Sequence, residues 1–226
     1  MTRHMKAALS AGWACAWLCV VPALLAGDCV IEGSVKFPSK MGAPAVSAAA
    51  AGRYKSLPPG AVGAAPPAAA VISLEGDFPV AAGDQAPTVQ VGQKQFQFVP
   101  ALLAVRKGTR VEFPNHDDEY HNVLSYSRAK EFDLGRYLKS EKPPVVMFDK
   151  AGVVELNCEI HEHMRGYVVV LDTPHFTTTD AEGRFRLAGL PPGKYTLKAW
   201  LNPKTIWQQP VELAAGAVLR VNFPPP

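Results

Sequence analysis

The amino-acid sequence predicts an all-β protein built from two β-sandwiches. Three observations support this fold class. Many short segments alternate apolar and polar residues, turn residues separate these segments at close intervals, and few long runs have a helical composition. The chain has 226 residues, among them 18 glycines and 21 prolines, a length that suits one large or two small domains.

Residues 1–27 are predicted to form a secretory signal peptide. Arg3 and Lys6 precede an uncharged apolar run over residues 7–26, and small residues stand before Asp28. The alternative is an uncleaved membrane anchor, because the run approaches the ~20 residues that span a bilayer. We therefore expect a periplasmic or secreted protein of the bacterial type, with no stable membrane insertion after cleavage.

The charge of the mature chain gives little information about partners. Loss of Arg3 and Lys6 lowers the number of lysines and arginines from 23 to 21 against 20 acidic residues, a net charge of +1. The sequence has no basic stripe, so nucleic acid is not an expected partner.

Two cysteines remain after cleavage, Cys29 and Cys158. In an oxidising compartment they can form a disulfide. The alternative is that Cys158 binds a metal, which the residues around it favour.

A C-x2-H-x2-M motif places Cys158, His161 and Met164 in one loop. Val154, Leu156 and Cys158 share the apolar face of a predicted strand before this loop, and a β-branched run over 167–171 predicts a strand after it. A blue-copper site needs two histidines and one cysteine in a trigonal plane with a weak axial methionine. His121 is the candidate second histidine.

Each of these residues alone has a commoner explanation, as a buried thiol, a core methionine or a surface histidine. Their joint occurrence between two strands favours one type 1 copper ion bound by His121, Cys158, His161 and Met164. His163 is expected to be exposed to solvent and outside the ligand set.

The strand, the loop and the closing strand resemble the C-terminal hairpin of cupredoxins, with the amicyanin type of loop spacing. Residues 108–115 and the pair His121-Asn122 also resemble the cupredoxin strand, turn and first copper histidine. Segments 130–135 and 148–152 resemble plastocyanin-like proteins of the methylamine-utilisation type. Over residues 86–172 this resemblance implies a Greek-key β-sandwich and one-electron transfer.

The resemblance also implies a hydrogen bond at the site: the backbone N–H of Asn122 is expected to donate to the Cys158 sulfur and to tune the reduction potential.

The sequence departs from the cupredoxin pattern at the rim of the site. Glu159, Glu162 and His163 stand where cupredoxins usually have an apolar rim around the exposed histidine. The docking surface for a redox partner protein of unknown identity is therefore expected to be polar, and Asp117, Asp118 and Glu119 are expected to extend it beside His121.

The C-terminal part predicts a second β module. Its turns at residues 180–183 and 189–193 resemble those of carboxypeptidase regulatory-like, transthyretin-like domains, and the strands predicted at 29–37 and 71–75 resemble the opening strands of that family. We therefore expect a split domain, 28–84 with 173–226, around a cupredoxin domain at 85–172. An Ala/Pro-rich stretch at about 41–70 is expected to be a mobile loop.

Two further predictions concern local structure. Residues 95–98 are predicted to form one strand, and the charged segment 128–142 is predicted to hold a short helical turn.

Two other function classes stay open. One is a periplasmic copper carrier or buffer, and the other is a metal-independent accessory or adhesion module. An enzyme is not expected, because the chain lacks the further His-rich motifs of a trinuclear copper centre.

Overall fold

The computed structural model describes residues 29–38, 68–78 and 88–225. These residues form seventeen β-strands and no helix, which confirms the all-β fold class. Within these ranges there is consequently no helix of the length and apolarity that a membrane span needs. The predicted signal peptide at 1–27 lies outside the described residues, as does most of the Ala/Pro-rich stretch at about 41–70.

The first sandwich contains ten consecutive strands: β3 (Thr88–Gln90), β4 (Gly92–Lys94), β5 (Gln97–Val99), β6 (Leu102–Arg106), β7 (Thr109–Glu112), β8 (His121–Ser127), β9 (Lys130–Tyr137), β10 (Val145–Phe148), β11 (Gly152–Asn157) and β12 (Arg165–Leu171). One sheet has the order β6-β12-β11-β8-β9 and the other has the order β10-β7-β3, while β4 and β5 form a separate hairpin. Their alternating inward residues make one apolar core, which includes Val111, Phe113, Phe148, Val154 and Leu156.

The second sandwich contains the remaining seven strands: β1 (Cys29–Val35), β2 (Val71–Glu75), β13 (Phe176–Thr178), β14 (Arg184–Leu190), β15 (Gly193–Asn202), β16 (Thr205–Leu213) and β17 (Val218–Phe223). Strand β1 lies between β14 and β17, and β2 lies between β13 and β15. The two predicted N-terminal strands thus pair with strands of the C-terminal module. The exact domain boundaries stay predictions.

The alternation of residues in β14 shows how sequence determines this second core. Phe185 and Leu187 are buried, whereas Arg184 and Arg186 between them are exposed, because successive side chains of a strand point to opposite faces. The buried side chains join a cluster that includes Ile31, Ile72, Leu74 and Leu197. Burial of such apolar surface is the dominant favourable term for this sandwich.

The two sandwiches are packed against each other through a small apolar junction. Val71 and Trp200 of the second sandwich are buried with Val169 of the first. The Trp200 ring also contacts the ring of Tyr167, with centroids 5.4 Å apart and an interplanar angle of 63°. Strand β12 therefore belongs to the first sandwich and also contributes its outer face to the junction.

Two local predictions are wrong. Residues 95–98 are not one strand, because Gln95 and Phe96 form the turn of the β4–β5 hairpin and both have positive φ. Segment 128–142 contains no helical turn; β9 crosses it and pairs with β8. The alternation of Phe132 and Leu134 with charged residues is a strand pattern, in which the charged side chains are on the more exposed face.

Candidate metal centre

The sheet geometry brings the predicted ligand residues together. Strands β11 and β12 pair antiparallel from Gly152↔Val170 to Asn157↔Arg165, so the loop that follows Asn157 is closed at its base. Strand β8 is antiparallel to β11, with Leu124 opposite Asn157. The first residue of β8, His121, therefore lies at the same end of the sheet as Cys158.

Three of the four predicted ligands form a compact buried cluster. The Cys158 Sγ and one ring nitrogen each of His121 and His161 all lie within 4.8 Å of one another. The two Nδ1 atoms are 2.9 Å apart, and the Nδ1 atom of His161 is 3.6 Å from Cys158 Sγ. Thiolate and imidazole donors at one point match the preferences of copper, so the donor set fits the metal that the sequence predicts.

The fourth predicted ligand, Met164, is buried beside this cluster in the same core. Its backbone N–H donates to the carbonyl of His161 over 2.8 Å, and its own carbonyl accepts from the N–H of Cys158 over 3.3 Å. These bonds fold the loop back on itself, with Met164 buried in the same core as Cys158. The Met164 thioether suits a weak axial ligand.

The neighbouring residues His163 and Cys29 differ from expectation. His163 is half-buried rather than exposed, and its ring centroid is 6.2 Å from that of His161. It is not part of the ligand cluster. The alternative disulfide is absent: Cys29 and Cys158 are both free and buried, and the Cys29 thiol donates to the carbonyl of Ala214 in the second sandwich.

The surroundings of Cys158 favour its thiolate. Burial alone would raise the pKa of this thiol, but hydrogen bonds from His121 and His161 and from the backbone N–H groups of Asn122 and Ile160 lower its pKa to about 6. The Asn122 side chain also accepts from the N–H of Glu159 over 2.7 Å and fixes the start of the loop to β8.

Asp117 has a different role from the predicted one. Its carboxylate points inward and accepts from Nε2–H of His121 over 2.8 Å, whereas the neighbouring Asp118 is exposed. When the imidazole is neutral, this bond places its proton on Nε2 and leaves the Nδ1 lone pair directed at the cluster. Burial opposes protonation of His121, but the hydrogen bonds with Asp117 and Cys158 raise its pKa. Metal binding at His121 therefore competes with protonation of this imidazole.

A turn before β8 places Asp117. The Asn115 side chain accepts from the N–H of Asp117 over 2.9 Å and donates to the carbonyls of Glu119 and Tyr137. The turn is thus closed on β9 beside His121. Asn115 was part of the predicted cupredoxin-like turn. No spacing rule in the sequence, however, indicates that the Asp117 side chain turns back towards His121.

A second buried group under the centre was not predicted. The Tyr137 hydroxyl donates to the carbonyl of Phe113 over 2.8 Å and accepts from Gln93 Nε2 over 2.6 Å. Burial raises the pKa of Tyr137 far above its usual range, so the phenol stays neutral. The network ties β4, β7 and β9 together beneath the cluster.

A cleft of about 460 Å³ lies elsewhere, between the two sandwiches. Ser73, Glu75, Lys198 and Trp200 are among its lining residues, and none of the cluster residues lines it. The clustered histidine and cysteine side chains therefore lie at the end of the first sandwich and not in this cleft.

One family model matches the C-terminal part of the chain. Residues 161–224 match the family model of the carboxypeptidase regulatory-like domain. The matched range begins in the ligand loop, passes through β12 of the first sandwich and contains β13 to β17, whereas β1 and β2 pair with these later strands from outside the range. No curated protein matches the chain.

Solved structures similar to the chain include copper proteins. A copper-containing nitrite reductase from Thermus scotoductus SA-01 is 26% identical over 42% of this chain, with a TM-score of 0.36, and the chain spans only 26% of its length. An amicyanin variant in its Cu(I) form is 23% identical, with 44% of this chain and 98% of the other covered and a TM-score of 0.35. A purple cupredoxin from Nitrosopumilus maritimus is 23% identical, with coverages of 37% and 99% and a TM-score of 0.33.

The family match agrees with the carboxypeptidase regulatory-like resemblance that the sequence predicted. The chain combines a sandwich that carries the His-Cys-His cluster with a second sandwich whose later strands lie in the matched range.

Proposed function

We propose that the protein is an exported type 1 copper protein that carries one electron at a time. The observation that supports this most directly is the convergence of His121, Cys158 and His161 within 4.8 Å at a buried point, with Met164 in the same loop. Bound copper would supply a one-electron couple between Cu(I) and Cu(II), because soft thiolate and thioether ligands suit the first state and imidazoles suit both.

The residues of the chain explain how such a centre is held. Cys158 is available as a thiolate near neutral pH, because the hydrogen bonds around its sulfur lower its pKa to about 6. Asp117 orients the imidazole of His121. Because His121 is held in β8 and the other donors are held in one hydrogen-bonded loop between β11 and β12, the protein has little freedom to rearrange when the charge of the site changes.

The proposed location and partners follow from the sequence alone. Residues 1–27 have the composition of a secretory signal, which leads us to propose a periplasmic or secreted protein. A redox partner protein is proposed to dock near the ligand loop. We do not propose an enzymatic activity or a nucleic-acid partner.

The visible spectrum of the purified protein with Cu(II) tests the proposal. A cysteinate–copper carrier gives an intense visible charge-transfer band and cycles reversibly between its oxidised and reduced forms. A protein that binds Cu(II) without this band, or that releases copper on reduction, would instead be a copper carrier or buffer. Failure to bind copper at all would leave the metal-independent module as the function.

A further inference from the structure

The turn of the β4–β5 hairpin lies against the candidate metal centre. Its two central residues, Gln95 and Phe96, have φ values of 52° and 58°. Two-residue hairpin turns with positive φ at both positions favour asparagine and glycine, because other L residues rarely adopt this conformation. Neither is present here. The turn must therefore be stabilised by contacts from outside the hairpin.

Asp117 provides those contacts. Its Oδ1 accepts from the N–H of Gln95 over 2.8 Å, and its Oδ2 accepts from the N–H of Phe96 over 3.0 Å. The same Oδ2 accepts from Nε2 of His121 over 2.8 Å. The side chain is only 13% exposed, so these charge-assisted bonds are partly shielded from water. One carboxylate thus joins a strained turn to a candidate copper ligand.

The turn brings the Phe96 ring onto both imidazoles. Its centroid is 5.3 Å from the His121 ring and 4.9 Å from the His161 ring, with interplanar angles of 89° and 82°. Phe96 is 6% exposed. On this side the two histidines therefore face hydrocarbon instead of solvent. Glycine at this position would relax the backbone but would remove the ring.

We propose that Phe96 closes the metal centre against water and small ligands, and that Asp117 is the positioning residue that fixes Phe96 and His121 together. This inference rests on the proposed function, since it assumes a copper centre. Its consequence is selectivity: the centre exchanges electrons with a docked partner but does not admit small anions. No bond to the metal is made or broken by Phe96.

A pair of glycine substitutions in the same turn tests the role of the ring. Phe96→Gly and Gln95→Gly each relieve one positive-φ position, but only the first removes the ring. The full-length proteins are loaded with Cu(II) and titrated with sodium azide while the visible spectrum and the relaxation rate of water protons are recorded. For Phe96→Gly we expect azide to bind at least about tenfold more tightly than to the unmodified protein, with faster water relaxation. Gln95→Gly should match the unmodified protein.

A second pair tests Asp117. Asp117→Asn replaces the carboxylate that accepts all three bonds with an amide that has one acceptor oxygen, so azide access should increase, though less than in Phe96→Gly. Asp118→Asn is the matched control, because Asp118 is exposed and pairs with Lys139. The positioning role of Asp117 would be overturned if azide access were unchanged in Asp117→Asn, or if it increased equally in Asp118→Asn.

The outcomes separate this inference from the proposed function. An unmodified protein without the cysteinate–copper band contradicts the proposed function itself. A second outcome is that the unmodified protein is blue but Phe96→Gly binds azide no more tightly, or Gln95→Gly gains as much azide affinity as Phe96→Gly. This outcome contradicts only the closing role of the ring. Phe96→Asn guards against a folding defect, because asparagine tolerates positive φ and also lacks the ring.

Discussion

The two sandwiches of this chain differ in what they bury. The first encloses polar and titratable side chains next to its core, among them Gln93, Asn115, His121, Asn122 and His161. Among the described residues of the second, the buried polar side chains include the hydroxyls of Ser73 and Thr179, together with the thiol of Cys29. Within residues 29–38, 68–78 and 88–225, the one cluster suited to a metal belongs to the first sandwich.

This difference indicates a division of roles. Buried polar groups cost stability unless they are hydrogen-bonded, so a sandwich that keeps several of them must hold each in place with specific partners. Asp117, Asn115 and Asn122 supply such partners around the centre. The described part of the second sandwich buries fewer and smaller polar side chains, so it needs fewer such partners. Substitutions in the first sandwich should therefore affect the metal centre, and substitutions in the second sandwich should affect the free energy of unfolding.

The largest expected effect is that of Cys158→Ser. The substitution replaces the thiolate whose covalent bond to Cu(II) would give the intense visible band, so the colour should be lost completely even if some copper still binds. Absorption and copper content measured on the same sample check this. Cys29→Ser is the matched control in the other sandwich and should keep the full colour. Equal loss in both variants would contradict the division of roles.

The next largest effect is expected at the junction. Trp200→Ala removes a buried aromatic side chain that packs on Val169 and Tyr167, and should lower the free energy of unfolding by about 3–5 kcal/mol. The visible band should remain in the folded protein. Denaturant unfolding, followed by far-UV circular dichroism and by the visible band, measures both quantities.

Trp200→Phe sharpens this experiment. The indole Nε1 is buried without a hydrogen-bond partner in the described part of the chain, so phenylalanine loses volume but no such bond. We expect a loss of about 1 kcal/mol, close to that of an average substitution. A loss as large as that of Trp200→Ala would show that the indole N–H has a partner after all.

The pH dependence of the copper-free protein should report on the first sandwich. The pKa of Cys158 is lowered to about 6, against about 8.5 for a free thiol, so its contribution to stability is fully present above the unfolded value and is lost as the pH falls through about 6. Thiolate absorbance of the folded protein should show a midpoint near pH 6. Cys158→Ser should abolish this titration and Cys29→Ser should preserve it.

Much of the architecture was predictable because it depends on local pattern. The strand β2 has the predicted bounds, and the C-x2-H-x2-M spacing located two of the three clustered residues, Cys158 and His161. The pairing of β1 and β2 with C-terminal strands was also predictable, because the turns of the C-terminal module have characteristic residues. In each case the signal lies within a few consecutive residues.

The parts that were missed depend on contacts distant in sequence. The Gln95-Phe96 turn lacks the glycine or asparagine that marks such hairpins, because Asp117 stabilises it from 21 and 22 positions away. The run 117–119 looked like a uniform acidic surface, yet Asp117 turns inward through the Asn115 turn. No propensity or periodicity of the sequence carries that information.

A smaller effect is expected for Met164, and it should be visible only in the reduction potential. Met164→Leu keeps the volume and the colour but removes the weak axial donor, which should raise the potential. Met164→Gln introduces a harder oxygen donor that favours Cu(II) and should lower it. Each shift should be on the order of 60 mV, a tenfold change in the relative affinity for the two oxidation states. Protein-film voltammetry measures it.

The smallest effect is expected for His163→Ala. His163 is adjacent to Met164 and half-buried, but it is outside the His-Cys-His cluster, and its ring lies 6.2 Å from that of His161. The variant should therefore keep the visible band, with a reduction potential within a few tens of millivolts of the unmodified protein, less than a tenfold change in relative affinity. If His163→Ala bleached the protein while Met164→Leu left the potential unchanged, the ligand assignment would be wrong. The loop would then be a histidine-rich copper carrier site, and the first sandwich would store copper instead of transferring electrons.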